Sequence, residues 1–383
     1  MAATLGRSVS APVILHIISG LGIGGAEASL VQIATALQAR GLPQHVVCAG
    51  TLDDHAEELR LRGVGVTVLG INSAAYLPGG IIRIARMIRK LDPAVVQGWM
   101  YHGNILAAFA HRLAYRRTRR RLYWNLRASN MDAARYGRVI RLGAMLSRWP
   151  DLMIANSQAG AQFHIDHGFR PRRMVVIGNG IDTQKFRPDA DARAALRAQL
   201  GIPADAVVAI HAARVDPMKD HPALLAAMAA VPQVHGLLVG AGTETLRVPE
   251  NVRALGLRRD LARLYATADI VVSSSAFGEG FSNVVAEGMS VGLIPVATDV
   301  GDAREIVGDA GYVVAPSDVA SLAGALAAAA SGPAADRLAR SLRARARMIG
   351  QFPLSMTIEA YARLYDSGCA ALSEPATAPL PTP

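Results

Sequence analysis

The sequence predicts two α/β domains, each built on a parallel sheet with helices on both faces, set opposite one another across a cleft. Three observations lead there. Short β-branched runs alternate with helical stretches along almost the whole chain, the pattern of parallel strands joined by crossover helices. The chain has 383 residues, more than one core holds comfortably and enough for two domains of ordinary size. A stretch rich in Pro, Asp, Ala and Arg over 186–204 interrupts the alternation and reads as a linker.

In the first domain, residues 1–185, strands are expected at 13–18, 45–49, 65–69, 94–97, 122–126, 152–156 and 174–177, with helices at 26–40, 80–90 and 104–113. Gly41 is placed to stop the first helix. The run 13–21 has the length of a short secretory core, but His16 breaks it and Gly22, Gly24 and Gly25 follow. It reads as a strand entering a glycine turn. The linker carries one short helix over 191–200. In the second domain, residues 205–352, strands are expected at 207–211, 234–239, 270–273, 294–297 and 311–314. Helices are expected at 222–230, 261–266, 282–289 and 319–330, followed by an Arg-rich helix at 337–350. A last helix over 355–372 lies in a terminal segment, 353–372. The tail 373–383 is too rich in Pro, Ala and Thr to order. Crossovers between parallel strands are right-handed. Ligands of such sheets bind at the carboxyl ends of the strands, so two facing sheets make one deep cleft.

Composition narrows the class. Hydrophobic residues make up 51% and charged residues 18%, which fits a globular chain and excludes a disordered one. The net charge of +10 admits nucleic acid, an anionic membrane or phosphate-bearing substrates, or simply a composition that prefers Arg. Cys48 and Cys369 support neither a disulfide framework nor a CxxC metal pair, which points to a reducing, cytoplasmic setting. No stretch is apolar for 18 residues, so no spanning helix is expected. Arg112, Arg116, Arg117, Arg119, Arg120 and Arg121, interleaved with Tyr115, Tyr123 and Trp124, offer a cationic face to anionic lipid or nucleic acid, with a solvated loop as the plain alternative. Arg135, Arg138, Arg141 and Arg148 follow on an amphipathic stretch and favour a membrane surface over nucleic acid.

Four features of the second half fall at strand ends or helix starts. Arg214 and Lys219 share one loop after the strand 207–211, where two cations suit a diphosphate. Gly240-Ala241-Gly242 ends the strand 234–239, and its glycines allow backbone to approach a ligand. Glu279 and Glu287 stand in an E-x7-E pattern, with Gly278 and Gly280 around the first and Ser282 placed to cap the next helix. The amides of Ser282, Asn283 and Val284 then form a phosphate site at the positive end of the helix dipole. Glu287 can accept from ribose hydroxyls and Glu279 from sugar hydroxyls; two such carboxylates in an apolar setting need partners. The turn over 298–307 can close the site.

In the first half, Gly20-x-Gly22-x-x-Gly25 is formally a dinucleotide fingerprint, but the second strand ends on Cys48-Ala49-Gly50 without the acidic residue that ribose requires. A glycine loop facing the other domain's phosphate site accounts for it as well. His102 lies at the cleft edge ahead of a helix and could bond the transferred sugar or the acceptor; Arg127, after the strand 122–126, is the alternative. Asp189-Ala190-Asp191 sits before the linker helix and reads as a cap, and no metal site is expected.

With Gly24-Gly25-Ala26-Glu27, Asn179-Gly180-Ile181-Asp182, the Arg214/Lys219 loop and the Glu279/Glu287 pair in place, the chain resembles the family 4 glycosyltransferases over nearly its whole length. The resemblance implies two facing Rossmann-like domains (the GT-B fold) and a retaining, metal-independent transfer from a nucleotide-diphosphate sugar, with no cofactor; the basic segment over 111–124 points to a polysaccharide or lipid-linked glycan acceptor at the inner membrane face. The resemblance implies that Arg214 and Lys219 neutralise the diphosphate, that Glu279 holds the sugar and Glu287 the ribose. The amides near Ser282 and Val284 and the Gly24/Gly25 loop face the diphosphate, and Gly242 joins the donor site. It also implies that the last helix crosses back onto the first domain. One departure stands out: relatives carry a His where this chain has Arg127, so His102 is assigned the sugar contact. A nucleotide-sugar epimerase, or a non-catalytic binding protein on the same fold, is the competing expectation.

Overall fold

The computed structural model describes residues 12–22, 24–51, 54–115, 120–129 and 133–370. Seven strands form the first sheet: β1 (Ile14–Ile18), β2 (Gln44–Cys48), β3 (Gly65–Val68), β4 (Val95–Trp99), β5 (Arg121–Leu126), β6 (Leu152–Ala155) and β7 (Met174–Val176). Their order is β3-β2-β1-β4-β5-β6-β7, all parallel. Six strands form the second: β8 (Val207–Ala212), β9 (Val234–Val239), β10 (Val252–Ala254), β11 (Ile270–Ser273), β12 (Ile294–Thr298) and β13 (Tyr312–Val314). Their order is β10-β9-β8-β11-β12-β13, again parallel. Strand order reverses beside β1 and beside β8, where open parallel sheets leave a crevice at their carboxyl ends.

Crossovers of the first sheet are α1 (Gly25–Ala39), α2 (Ala56–Leu61), α3 (Leu77–Leu91), α4 (Met100–Ala114), α5 (Ala133–Leu146) and α6 (Gln158–Asp166). The linker helix is α7 (Ala190–Gln199). The second domain adds α8 (His221–Ala229), α9 (Leu261–Ala266), α10 (Asn283–Val291), α11 (Ala303–Val307), α12 (Val319–Ser331) and α13 (Ala334–Gln351). The last helix is α14 (Leu354–Ala370). Each sheet is covered on both faces, so central strands such as β1 are buried at every position, as a sheet with two apolar faces requires.

Packing ties the end of the chain to the first domain. Tyr361 and Tyr365 of α14 are fully buried within the first-domain core. The Tyr361 hydroxyl accepts from Asn125 Nδ2 at 2.6 Å, and the Tyr365 hydroxyl donates to Gln97 Oε1 at 2.8 Å. The two chain crossings between domains lie side by side. Ile181 N donates to Phe352 O at 2.8 Å, and Leu354 N to Ile181 O at 2.9 Å. A Cβ on Gly180 would sit 2.4 Å from Leu354 Cα, so only glycine admits that contact.

Several local expectations change. Helix α4 begins at Met100, whose φ of 59° turns the chain sharply out of β4, so His102 lies inside the first turn and not ahead of the helix. The short helices α2, α6 and α11 and the edge strand β10 do not stand out in the sequence, because each buries too few apolar residues to show a period. Asp189 accepts from Ala192 N at 2.8 Å, a helix cap. Of the basic run, residues 116–119 lie outside the described residues, as does the tail 373–383. Arg120 pairs with Asp92, and Arg121 lies 3.7 Å from Asp151. No helix among the described residues is long and apolar enough to cross a membrane.

Tyr361→Phe removes the acceptor of Asn125 Nδ2 in a dry core. The expected cost is about 1–3 kcal/mol, read as a lower urea midpoint at unchanged m value. An unchanged midpoint would show that the Asn125–Tyr361 bond does not help to hold α14.

Candidate active site

At the carboxyl end of β8, backbone bonds shape the loop that carries the two expected cations. Ala213 N donates to Val239 O at 2.8 Å and Val215 N to Ala241 O at 2.9 Å. Gly240, at φ 147°, leaves no room for a side chain: a Cβ would lie 2.1 Å from Ala213 O. Gly242 is left-handed, and its Cβ would press on Val215 at 3.2 Å. The glycine turn therefore buttresses the cation loop. Arg214 Nη2 meets Asp216 Oδ2 at 3.0 Å, with the arginine side chain 56% exposed. Asp216 also fixes the following turn by accepting from Met218 N at 3.0 Å.

Lys219 and Glu279, expected on diphosphate and sugar, are ion-paired with each other, with side chains 16% and 14% exposed. Ser275 Oγ donates to the same carboxylate oxygen at 2.8 Å. Glu287 lies on α10, where Tyr265 Oη donates to its Oε2 at 3.2 Å. Burial pushes its carboxyl up to about 7, against the pull of the Tyr265 bond and the more distant Lys185 charge. Ser282 occupies the N-cap position of α10, but its side chain makes no capping bond, which corrects the expected Ser282 cap. Position alone leaves the first-turn amides of α10 without preceding helical carbonyls.

Asn283 connects the domains. Its Oδ1 accepts from Asn179 Nδ2 at 2.6 Å, and Asn179 Oδ1 in turn accepts from Arg127. A Cβ on Gly25 would sit 3.3 Å from Asn283 Nδ2, so the glycine loop of the first domain faces the N-terminus of α10. Glu27 folds back over Gly24, with Oε2 2.4 Å from where a Cβ would be. Burial raises the Glu27 carboxyl, while His55, Arg214 and Arg127 oppose the rise. The Arg127 guanidinium lies 5.3 Å from the centre of the Trp99 ring, and burial lowers its pKa. Trp99 Nε1 donates to His16 Nδ1 at 3.0 Å, so the other His16 nitrogen carries the proton toward Gln44 Oε1 at 2.8 Å. Burial brings His16 down to about 4, keeping it neutral.

Gly24, Gly25, Arg127, Arg214 and Asn283 thus gather at the junction, and Lys219, Glu279 and Glu287 stand at the carboxyl side of the second sheet. His102 reaches solvent from α4 and makes no hydrogen bond among the described residues; partial desolvation by the surrounding protein lowers its pKa. Arg127 is the first-domain candidate that is bonded, through Asn179, toward the second domain. Sequence reasoning passed over Asn125, Asn283 as a side chain, Tyr265, Ser129 and Asp302, since isolated polar residues carry no pattern. A cavity of about 320 Å³ opens beside the junction, lined by Asn156, Gln158, Asn179, Phe281, Asp302 and Phe352 among others. Neither the cation loop nor Glu279 nor Glu287 lines it. Among the described residues no group of three His, Cys, Asp or Glu side chains could hold a metal ion.

Known proteins are similar to this chain in sequence and fold. The model described as Glycosyltransferase Family 4 matches residues 23–185, and that described as Glycosyl transferases group 1 matches residues 206–331. D-inositol 3-phosphate glycosyltransferase of Streptomyces avermitilis is 31% identical over 242 residues, 56% of this chain and 51% of that protein. The same enzyme of Geodermatophilus obscurus is 34% identical over 206 residues, 46% of this chain and 45% of that one. The matches thus span about half the length of these curated relatives. Among solved structures, Anabaena Alr3699/HepE in complex with UDP-glucose superposes with a TM-score of 0.82 at 25% identity, over 93% of this chain and 100% of that one. Sucrose-phosphate synthase from Thermosynechococcus elongatus shares the fold at 20% identity, with a TM-score of 0.79 over 94% of this chain and 100% of that one. With its two halves matched in succession and the GT-B architecture shared from end to end, the chain belongs to glycosyltransferase family 4.

Proposed function

We propose that the chain transfers a hexose from a nucleotide-diphosphate sugar, with retention of anomeric configuration, to a glycan or lipid-linked acceptor. The observation that carries this is the meeting of Lys219 with Glu279 at the mouth of the second sheet, beside the α10 N-terminus and opposite the Gly24-Gly25 loop. When a donor enters, Lys219 exchanges Glu279 for the diphosphate and Arg214 exchanges Asp216. Both cations then stabilise the departing nucleotide, work that does not call for a metal. Glu279, released, accepts from sugar hydroxyls, and Glu287 from the ribose. The acceptor attacks from the face the nucleotide leaves, and its proton passes to the departing phosphate oxygen. The relative bound to UDP-glucose makes a uridine donor the first to test.

On the acceptor side, α4 and α5 expose Phe109, Leu113, Leu142 and Met145 beside exposed Arg112, Arg138, Arg141 and Arg148. An apolar strip rimmed by arginine suits an anionic lipid surface. The chain is expected to float with phosphatidylglycerol vesicles and not with phosphatidylcholine ones; equal recovery with both would reject this face.

Thermal shift against UDP-, GDP- and ADP-sugars tests the donor reading. A donor at 100 times its dissociation constant stabilises by about 2.7 kcal/mol, and no shift with any of them would overturn it. Lys219→Ala is expected to lower turnover about 10²- to 10³-fold, well beyond what its lower Tm accounts for, since the largely buried Glu279 charge keeps only its Ser275 bond. Activity that falls only in step with the unfolded fraction would mark a structural lysine. For Glu287 the folded pKa, about 7, exceeds the ordinary 4.5. The folded state therefore holds the proton more tightly, so this contribution to stability is present below about 4.5 and is lost as pH rises through 7. Glu287→Gln is thus expected to raise Tm at pH 8, with the gain vanishing by pH 4, and to weaken donor binding. A lower Tm at pH 8 would contradict the buried carboxylate.

A further inference from the structure

Groups that the transfer reading does not use grip the Glu279 loop from both domains. Beneath it in its own domain, Asp302 N donates to Gly280 O at 2.9 Å, and a Cβ on left-handed Gly301 would lie 2.2 Å from that oxygen. From the first domain, Ser129 Oγ donates to Glu279 O. Gly280 packs on the end of β6, where a Cβ would sit 2.6 Å from Asn156 Oδ1 and 2.9 Å from Ser157 Oγ. The Asp302 carboxylate then reaches across: Oδ2 accepts from Gln158 N at 2.9 Å and Oδ1 from Ala159 N at 3.0 Å. These amides open α6, and the next, Gly160 N, is taken by Ser157 Oγ at 2.9 Å. A helix start carries unpaired N–H groups and partial positive charge. Here one serine of its own domain and one carboxylate of the other satisfy the first three N–H groups between them.

We propose that Asp302 and Ser129 are positioning residues for Glu279. Docking of the α6 N-terminus on Asp302, and of Ser129 on the Glu279 carbonyl, fixes the loop only while the two domains are together. Glu279 is the group of the second domain whose loop the first domain grips directly, through Ser129 and the α6 start, so this docking bears on Glu279 far more than on Arg214, Lys219 or Glu287. The part given to Glu279 rests on the donor-sugar reading; the docking itself does not.

Hydrogen–deuterium exchange on the full chain tests the docking without any substrate. Asp302→Asn keeps the side-chain shape and one acceptor but loses the charge and the second acceptor. Exchange is expected to quicken about 3- to 30-fold, the worth of a lost cap, both at Gln158 and Ala159 and across residues 278–283, with β8 and β11 unchanged. Ser129→Ala is expected to quicken the 278–283 loop. Faster exchange at α6 with a silent loop, or a rise spread over the whole chain, would overturn the proposal. In the second arm, UDP affinity of Asp302→Asn is expected to stay that of the parent while kcat on UDP-glucose falls about 10- to 100-fold, the cost of slight misplacement. Equal losses in UDP affinity and kcat would also overturn it. Should the parent protein neither bind UDP nor turn over UDP-glucose, the donor reading is what fails, and the exchange arm still decides the docking.

Discussion

Two backbones can come within touching distance only where side chains are missing, and the junction between the halves is built on that constraint. At Gly280 a Cβ would overlap Asn156 and Ser157 of the first domain; at Gly301 it would overlap the Gly280 carbonyl; at Gly180 it would overlap the start of α14. Gly280 lets one domain rest on short polar groups of the other, while Gly301 and Gly180 let neighbouring segments close up around that contact and the domain crossing. A side chain at 280 would lever the Glu279 loop off β6 and part Ser129 from Glu279. The position of Glu279 relative to the first domain is therefore set by what position 280 lacks.

Within that frame the carboxylates are treated differently. Glu279 is largely buried but paired with Lys219 and bonded by Ser275, so its charge is compensated where it stands. Among the described residues Glu287 has one hydroxyl donor, Tyr265, and no ion-paired cation, and burial raises its pKa. A buried acid left short of partners weakens the empty protein, and on the proposed reading it is the ribose hydroxyls that satisfy it. Natural sites often hold such groups, since binding needs them unsatisfied until the ligand comes. Under the proposed transfer, Lys219 and Glu279 need only exchange partners, which spares the site a large desolvation step in either state.

Much of the fold was legible because buried parallel strands are dense in Val, Ile and Leu over short lengths. The strands Val234–Val239 and Ile270–Ser273 and the helix Leu261–Ala266 match their expected limits to the residue. Helix α6 was not legible: its stretch Gln158-Ala159-Gly160-Ala161-Gln162 holds little apolar surface, and the carboxylate that satisfies its first amides lies 144 residues further along the chain. The Glu279/Glu287 spacing and the Arg214/Lys219 loop could be read because chemistry-bearing residues clustered there. The pairing of Lys219 with Glu279 could not, since a sequence shows which charges exist and not which of them neutralise each other. Ser282 illustrates the same limit. Its position is that of an N-cap, yet its side chain is not used as one. Asn125 bonding Tyr361 across 236 residues left no local trace at all.

The charge of +10 invited a polyanion as partner, and the structure redistributes that inference. Many arginines are spent on main-chain carbonyls. Arg197, 4% exposed, bonds Thr267 O, Pro203 O, Ala204 O and Ala206 O, and also Asp269. On the Arg-rich α13, Arg337 reaches Ala330 O and Gly332 O, Arg345 reaches Ser290 O, and Arg347 reaches Glu305 O and Ile306 O. A guanidinium with five donors can close several helix and strand ends at once, which lysine cannot do. Such residues add to the formal charge while their hydrogen-bonding capacity is already committed within the fold. Exposed basic side chains stand beside exposed apolar ones on α3 and α13 as well as on α4 and α5. The formal total therefore does not single out a face, and the proposed lipid contact of α4 and α5 rests on the pairing of apolar strip and arginine rim there.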